Sequence, residues 1–229
     1  MRSNPTELTT PQILFENRTD AGRKLSSELV SYANPNTLVL AIPNGGVPIA
    51  MEVAKALNTE LDVIVVRKLV LPMVLEGGLG AVADDGTLHI NEDLIRKYGL
   101  SREQIEYEAD NVKTNVKQRS LKYNFGVPRA ALTGKIAIII DDGLASGVTM
   151  AVAVEAVRHR RPRQIVVAVP VASVTGYNRA AKLADKVVSY TIAKMPKFFL
   201  ADFYRHWGDI DDDATVHSLQ QWRSRHSFG

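Results

Sequence analysis

Three apolar, β-branched runs, each followed by a turn and then by a helical pattern, constrain the fold of this chain most strongly. The runs cover residues 37–42, 135–140 and 164–169. Because polar residues do not alternate within them, each is predicted to be a strand buried on both faces. Further strands are predicted over 61–66 and 186–190, and helices over 47–57, 148–160 and 174–184. This alternation predicts an α/β fold with an open, doubly wound parallel sheet.

Two segments interrupt the alternation of strands and helices. Residues from about 91 to 125 form a helical insertion, in which Ser101 and Gln104 have the spacing of a capping box. The region from about 193 to 229 is rich in aromatic and acidic residues, and Asp211 is predicted to cap a last helix there. A chain of 229 residues, 45% of them hydrophobic, is predicted to form one domain over 1–229.

Composition excludes several classes of site. The chain has no cysteine, which excludes disulfides and thiolate chemistry. The sequence contains no apolar run of about 18 residues and no signal-peptide pattern, so we expect a cytoplasmic protein without a membrane partner. Residues 158–163 form a basic run, but Pro162 ends the preceding helix there, and cations favour a helix C-terminus. With a net charge of only +3, nucleic acid is not the expected partner.

The segment 136–149 carries the most chemical information. A buried strand ends in two adjacent carboxylates, Asp141 and Asp142, and continues into a loop of small residues that opens a helix. Gly147 permits close backbone approach, N–H groups at a helix start attract phosphate, and the hydroxyls of Ser146 and Thr149 add donors. Ribose hydroxyls and Mg²⁺ are partners that would suit the two carboxylates.

Four hydrophobic residues, Asp-Asp and a small-residue loop ending in threonine resemble the signature of type I phosphoribosyltransferases. The resemblance implies that Asp141 and Asp142 contact the ribose hydroxyls and Mg²⁺, and that the 5-phosphate is held by Ala145, Ser146, Gly147, Val148 and Thr149. We call residues 141–149 the phosphate loop. Gly143 departs from the aliphatic residue usual in the family. The alternative reading is an ordinary strand-to-helix turn with an acidic cap.

Most of the remaining chain is similar to a bacterial group of phosphoribosyltransferases of unknown acceptor. The similar pieces lie at 15–25, 42–48, 66–69, 80–82 and 203–209. The resemblance implies that the backbone of Asn44, Gly45 and Gly46 grips pyrophosphate, often beside a non-proline cis peptide. The group usually has arginine where Asn44 stands. A glycine-containing turn is the alternative reading of this segment, residues 43–46, which we call the glycine loop.

Three further features have both a functional and a structural reading. Arg67 and Lys68 can balance pyrophosphate charge or can be solvated bases at a strand end. Lys68 is assigned to catalysis together with Asp141 and Asp142. Residues 69–80 have the composition of a lid, in which Glu76 is a weaker candidate or simply exposed. A hood that covers the acceptor, or a small satellite core, is predicted from Phe198, Phe199, Asp202, Phe203, Tyr204, Trp207 and Asp209.

The resemblance implies transfer of a phosphoribosyl group from 5-phosphoribosyl 1-diphosphate, with Mg²⁺, to an unidentified nitrogen acceptor, and release of pyrophosphate. A homodimer is also expected. Enzymes of the class that act on 6-oxopurines usually have aspartate where this chain has Ala145. The rival interpretations are a non-catalytic regulator that senses ribosyl phosphates and binds RNA or a protein, and a metal-dependent hydrolase of a phosphorylated sugar.

Overall fold

A computed structural model describes residues 5–70, 79–125 and 129–226 of the chain. Its centre is a parallel sheet of six strands, which are β1 (Thr6–Leu8), β2 (Thr37–Ala41), β3 (Glu60–Val63), β7 (Ile136–Ile140), β8 (Gln164–Ser173) and β9 (Lys186–Ala193). Their spatial order in the sheet is β1-β9-β8-β7-β2-β3. Every strand pair in this sheet is parallel, so the predicted fold class is confirmed.

The helices cover both faces of the sheet. On one face lie α1 (Arg18–Glu28), α2 (Gly46–Leu57) and α7 (Asp212–Arg225), and on the other lie α5 (Val148–His159) and α6 (Val174–Ala181). The sequence of β7 is entirely apolar because its side chains are buried on both faces of the sheet. Ile136, Ile138 and Ile140 enter the first core, whereas Ala137 and Ile139 enter the second.

The direction of the connections reverses between β2 and β7. From β2 the chain passes through α2 to β3 on one side, and from β7 it passes through α5 to β8 on the other. At such a switch point the loops that follow adjacent strands diverge and leave a crevice beyond the carboxyl ends of the strands. The glycine loop follows β2 and the phosphate loop follows β7, so both border this crevice.

The predicted strand over 61–66 is wrong in its extent. Main-sheet pairing stops at Val63, and the chain then enters a three-stranded antiparallel sheet of β4 (Val66–Leu69), β5 (Gly80–Ala83) and β6 (Leu88–Ile90). The backbone N–H of Val65 donates to Asp84 Oδ2 at 3.1 Å instead of to a neighbouring strand. A short apolar run without a turn residue gave no signal for this change of sheet.

The helical insertion contains α3 (Glu92–Tyr98) and α4 (Arg102–Asn124). The capping box of Ser101 and Gln104 is present at the start of α4, as predicted. Asp211 caps α7, where its side chain accepts from the N–H of Ala214 at 2.7 Å. The two helices meet beside the glycine loop through the side chains of Arg119, Tyr123 and Asp212. Across the described residues, no helix combines the length and apolar character that a membrane span requires.

Candidate active site at the sheet switch point

A cavity of about 170 Å³ opens at the carboxyl end of β7. Its lining includes the whole phosphate loop, and it also includes Lys68 from β4, Met150 from α5 and Leu200 from the hood. The structure therefore brings together Asp141, Asp142, Lys68 and the residues from Ala145 to Thr149. Sequence reasoning did not find Met150 or Leu200, because neither residue type has a chemical signature of binding.

The backbone of the phosphate loop presents unpaired donors. Among the described residues, the N–H groups of Ala145, Ser146 and Gly147 have no hydrogen-bond acceptor in the protein. Gly147 precedes the first residue of α5 and has φ +73°, a conformation that glycine adopts without steric cost. Free N–H groups at the positive end of a helix are a suitable site for a phosphate group.

The helix α6 braces the outer side of this loop. Ser173 Oγ donates to the carbonyl oxygen of Ala145 at 2.5 Å, and Arg179 Nη1 donates to the carbonyl oxygen of Ser146. Because these contacts use the carbonyl groups, they fix the loop with its N–H groups directed away from α6. The loop is thus preorganised by hydrogen bonds that leave its donors available.

The two aspartates have different environments. Asp142 Oδ2 accepts from Arg18 Nε at 2.9 Å, and Asp141 Oδ1 accepts from the backbone N–H of Asp142 at 2.8 Å. Burial, and then repulsion from Asp142, hold the pKa of Asp141 well above its ordinary value, although Lys68 and Arg18 oppose the shift. Burial also raises the pKa of Asp142, against the attraction of Arg18. Both carboxyl groups would therefore gain from a cation or from hydroxyl donors in the cavity.

The two carboxylates fit Mg²⁺ only if a bound ligand supplies further oxygen atoms to the ion. The described residues contain no group of three or more histidine, cysteine, aspartate or glutamate side chains that could hold a metal. Asp142 is already paired with Arg18, which leaves Asp141 as the freer oxygen ligand. Mg²⁺ is commonly bound by one or two carboxylates together with phosphate oxygens and water, and this arrangement matches that pattern.

The glycine loop lies directly against the aspartates. A Cβ built on Gly45 would stand 2.0 Å from Asp142 Oδ2, so only glycine fits this close approach. The peptide bond between Pro43 and Asn44 is cis, as the resemblance implied. In the described part of the chain, the N–H groups of Asn44 and Gly45 have no acceptor, whereas that of Gly46 donates to Ile42. Two donors of this loop are therefore available to an anion.

Arg67 and Lys68 point to different parts of the site. Lys68 lines the cavity, where its charge favours the ionised form of Asp141. Arg67 does not line the cavity, and its charge interacts instead with those of Arg119 and Asp212 beside the glycine loop. Both side chains are exposed on β4, and their separation follows from the alternation of side chains along a strand. Residues 71–78 of the predicted lid, including Glu76, lie outside the described residues.

Most aromatic residues of the predicted hood form part of the main core. Phe203 and Tyr204 are buried, and Trp207 packs under the guanidinium of Arg18, which lies 3.8 Å from the ring centroid. Phe199 is the exception, with 62% of its surface exposed. Neither Asp202 nor Asp209 lines the cavity. The packed aromatics therefore belong to the main core rather than to a separate satellite core, and Leu200 is the hood residue that faces the cavity.

The basic run at the C-terminal end of α5, residues 158–163, is largely bound to the protein's own surface. Arg158 donates to the carbonyl oxygen of Leu183 at 2.5 Å, and His159 lies 3.0 Å from Asp85. Arg160 donates to the carbonyl oxygen of Ala130 at 2.6 Å. The run is at the end of α5 remote from the phosphate loop, as predicted, but three of its side chains are engaged rather than simply solvated.

A parallel sheet with a crevice at its switch point defines a doubly wound α/β protein that binds ligands beyond the carboxyl ends of its strands. A family model described as the phosphoribosyl transferase domain matches residues 91–204, which include the phosphate loop. The chain belongs to the type I phosphoribosyltransferase family.

Similar proteins agree with this assignment. The chain is 36% identical over 209 residues to the Mycobacterium tuberculosis protein named "Putative phosphoribosyl transferase Rv0571c", and equally to its counterpart MT0597 in another strain. The match covers 91% of this chain and 47% of those proteins, so the chain spans about half the length of these curated relatives. The crystal structure of TT1426 from Thermus thermophilus is 33% identical, with a TM-score of 0.75, and the match covers 92% of this chain and 99% of that one.

Proposed function

We propose that this protein transfers the phosphoribosyl group of 5-phosphoribosyl 1-diphosphate to a nitrogen acceptor and releases pyrophosphate. The observation that carries the proposal is a pair of largely buried carboxylates at the start of the phosphate loop and against the glycine loop, both of which have unpaired backbone donors. One loop offers the N–H groups of Ala145, Ser146 and Gly147, and the other offers those of Asn44 and Gly45. A molecule with a phosphate at one end, a diphosphate at the other and hydroxyl groups between them matches this arrangement.

Each group of residues has a defined part in the proposed reaction. The phosphate loop holds the 5-phosphate, while Asp141 and Asp142 accept hydrogen bonds from the ribose hydroxyls. The glycine loop holds the diphosphate, and Lys68 balances charge near Asp141. These contacts fix the anomeric carbon, where the acceptor nitrogen forms a bond as the bond to the diphosphate oxygen breaks. The main contributions are therefore positioning and the electrostatic stabilisation of the separating charges.

We include Mg²⁺ in the proposal, with Asp141 and Asp142 as the residues that would hold it. When bound, the ion would neutralise diphosphate charge and so assist its departure. Asp141 is the freer of the two ligands, because Arg18 already donates to Asp142. Arg18 then serves to orient the Asp142 carboxylate toward the sugar.

If the donor reacts before the acceptor binds, exchange of labelled pyrophosphate into 5-phosphoribosyl 1-diphosphate tests the proposal without knowledge of the acceptor. Binding of the donor tests it whatever the order of the steps. Calorimetry with 5-phosphoribosyl 1-diphosphate and Mg²⁺ should show binding, and a ligand at a hundredfold excess over its Kd should stabilise the fold by about 2.7 kcal/mol. The double variant Asp141→Asn, Asp142→Asn should lose most of that stabilisation. Equal stabilisation of wild type and double variant would refute the assignment of the ribose site.

The acceptor is best sought by screening nucleobases and other amines against labelled donor. Formation of a nucleotide product identifies a transferase and its acceptor together. Release of ribose 5-phosphate without an acceptor would instead identify the hydrolase. We also propose that the protein is a homodimer and that it is cytoplasmic. Light scattering of the purified chain measures its oligomeric state.

A regulator that senses ribosyl phosphates is the second candidate, and Asn44 is the residue that favours it, because the related group usually has arginine there. Donor binding without transfer to any acceptor, together with salt-sensitive binding of RNA, would support the regulator. The engagement of Arg158, His159 and Arg160 with the protein's own surface weighs against an RNA site at the basic run.

A further inference from the structure

A polar network joins the glycine loop to the helical insertion and to the last helix. Arg119 Nη2 lies 3.1 Å from Asn44 Oδ1, and it also donates to Tyr123 and to Asp212. The Tyr123 hydroxyl is 2.7 Å from Asn44 Oδ1 and 2.8 Å from Asp212 Oδ1, so its single proton can serve either oxygen. The guanidinium of Arg119 is thus held against the side chain of Asn44, the residue that follows the cis peptide.

The network uses only part of the hydrogen-bonding capacity of Arg119. All its hydrogen bonds within the described residues are made by Nη2, whereas Nε and Nη1 have no acceptor there. The side chain is only 13% exposed. A guanidinium carries five N–H donors in a planar fork, and a nearly buried one ordinarily pairs more than one of its nitrogens. The free edge of Arg119 is therefore suited to an oxyanion.

A second cation, Arg67, interacts electrostatically with Arg119. The side chain of Arg67 is exposed and makes no ion pair or hydrogen bond with any described residue. Partial desolvation of its guanidinium lowers the pKa of Arg67, and repulsion from Arg119 lowers it further, although Asp212 and Tyr123 act in the opposite direction. Two guanidinium groups that repel each other, one of which contacts a loop with two unpaired N–H groups, favour an anion that interacts with both.

We propose that Arg119 supplies to the diphosphate the positive charge that Asn44 does not, with Asp212 and Tyr123 positioning its guanidinium. Asn44 contributes its backbone N–H to the anion, while its side chain anchors the start of α7 through Ile210, at 2.7 Å, and Asp212. The charge that the related group carries on the glycine loop is supplied here from α4 of the helical insertion. This inference rests on the proposed function, because it assumes a diphosphate at the glycine loop.

The test compares inorganic pyrophosphate with ribose 5-phosphate, each titrated by calorimetry with Mg²⁺. Arg119→Gln is expected to weaken pyrophosphate binding by about tenfold or more, because a charge-assisted pair to phosphate is lost. Binding of ribose 5-phosphate, which uses the phosphate loop, is expected to change by less than about twofold. The loss for pyrophosphate should shrink at high salt, since screening reduces a contribution from charge but not one from packing.

Lys122→Gln is the matched control. Lys122 also joins α4 to α7, at 2.7 Å from Asp213, but it makes no contact with the glycine loop. Pyrophosphate binding by this variant should equal that of wild type. If Arg119→Gln does not fold, Arg119→Lys takes its place, and loss of the planar fork predicts about fivefold weaker binding.

The outcomes separate this inference from the proposed function. Failure of the wild type to bind either ligand overturns both. If the wild type binds both ligands and the Arg119 variant binds pyrophosphate equally well, the proposed function stands and the role of Arg119 is refuted. Equal weakening by Lys122→Gln would also refute it, because the effect would then belong to the contact between the helices.

Discussion

Leu200 occupies the space into which a side chain at Gly143 would project. A Cβ built on Gly143 would lie 2.1 Å from Leu200 Cδ2 and 3.0 Å from the carbonyl oxygen of Val171. The related enzymes usually have an aliphatic residue at this place in the loop, and here a hood residue fills the equivalent volume from outside. The absence of a side chain at Gly143 and the presence of Leu200 in the cavity wall are therefore two aspects of one packing arrangement.

This arrangement predicts strong coupling between the two positions. Gly143→Ala should reduce the free energy of unfolding by about 1–3 kcal/mol, because the new methyl group overpacks against Leu200. In the double variant Gly143→Ala, Leu200→Ala, the total loss in urea denaturation should be smaller than the sum of the single losses. Gly208→Ala is the control, since a Cβ there meets no atom within 4 Å. Additive losses would show that Leu200 does not fill this space.

The ion pair between Arg18 and Asp142 should stabilise the fold far more than the ion pair between Arg23, also in α1, and Glu52. Arg18 and Asp142 have side chains only 11% and 14% exposed, whereas the Arg23 side chain is 67% exposed. Arg18→Gln leaves a nearly buried carboxylate without its cation, so urea denaturation should show a loss of about 3 kcal/mol. Arg23→Gln should cost at most about 1 kcal/mol. Similar losses for both variants would contradict this interpretation of Arg18.

The network of Arg119, Tyr123 and Asp212 should contribute to the pH dependence of stability. Burial raises the pKa of Asp212, but hydrogen bonds from Tyr123 and Asn44 and the charge of Arg119 outweigh it, so the pKa is lowered. A carboxyl group with a lowered pKa stabilises the fold above its unfolded pKa of about 4, and this contribution disappears as the pH falls through the lower folded value.

Unfolding free energies between about pH 3 and pH 7 measure this effect. The free energy of unfolding of the wild type should exceed that of Asp212→Asn most at neutral pH. The difference between the two should become smaller as the pH falls below about 4. Asp213→Asn, which removes a carboxylate that is 89% exposed, should alter the profile less. A difference between wild type and Asp212→Asn that is constant over the whole range would exclude the proposed linkage.

Activity with hypoxanthine and guanine is expected to be weak or absent. Ala145 stands where enzymes that act on 6-oxopurines usually have aspartate, and it can neither take a proton nor accept a hydrogen bond through its side chain. Among the described residues that line the cavity, only Asp141 and Asp142 carry carboxylates, and Asp202 and Asp209 of the hood are outside it. Ala145→Asp alone should not create purine activity, because the hood must also position the base. Robust nucleotide formation by wild type in an assay with both purines would refute the argument.

Local sequence was sufficient for much of the fold. Continuous apolar runs predicted β2, β7 and β8, because a strand covered on both faces needs no polar alternation, and β9 was predicted in part, over 186–190. Ser101 with Gln104 and Asp211 with the turn that follows predicted two helix starts, since caps act within a few residues. The strands β1, β4, β5 and β6 were not predicted. They are only three or four residues long, and β1 pairs with β9, a partner far away in the chain.

The candidate site likewise has a part that the local sequence predicts and a part that depends on tertiary contacts. By itself the sequence determined the phosphate loop, because the carboxylates, the glycine and the helix start that give the loop its chemistry are contiguous from Asp141 to Thr149. Only the tertiary structure decided that Arg18 pairs with Asp142, that Leu200 covers Gly143 and that Arg119 lies against Asn44. Those partners are 124, 57 and 75 residues apart in the chain. No local propensity encodes such contacts, which form only when the helices and the hood pack around the ends of the strands.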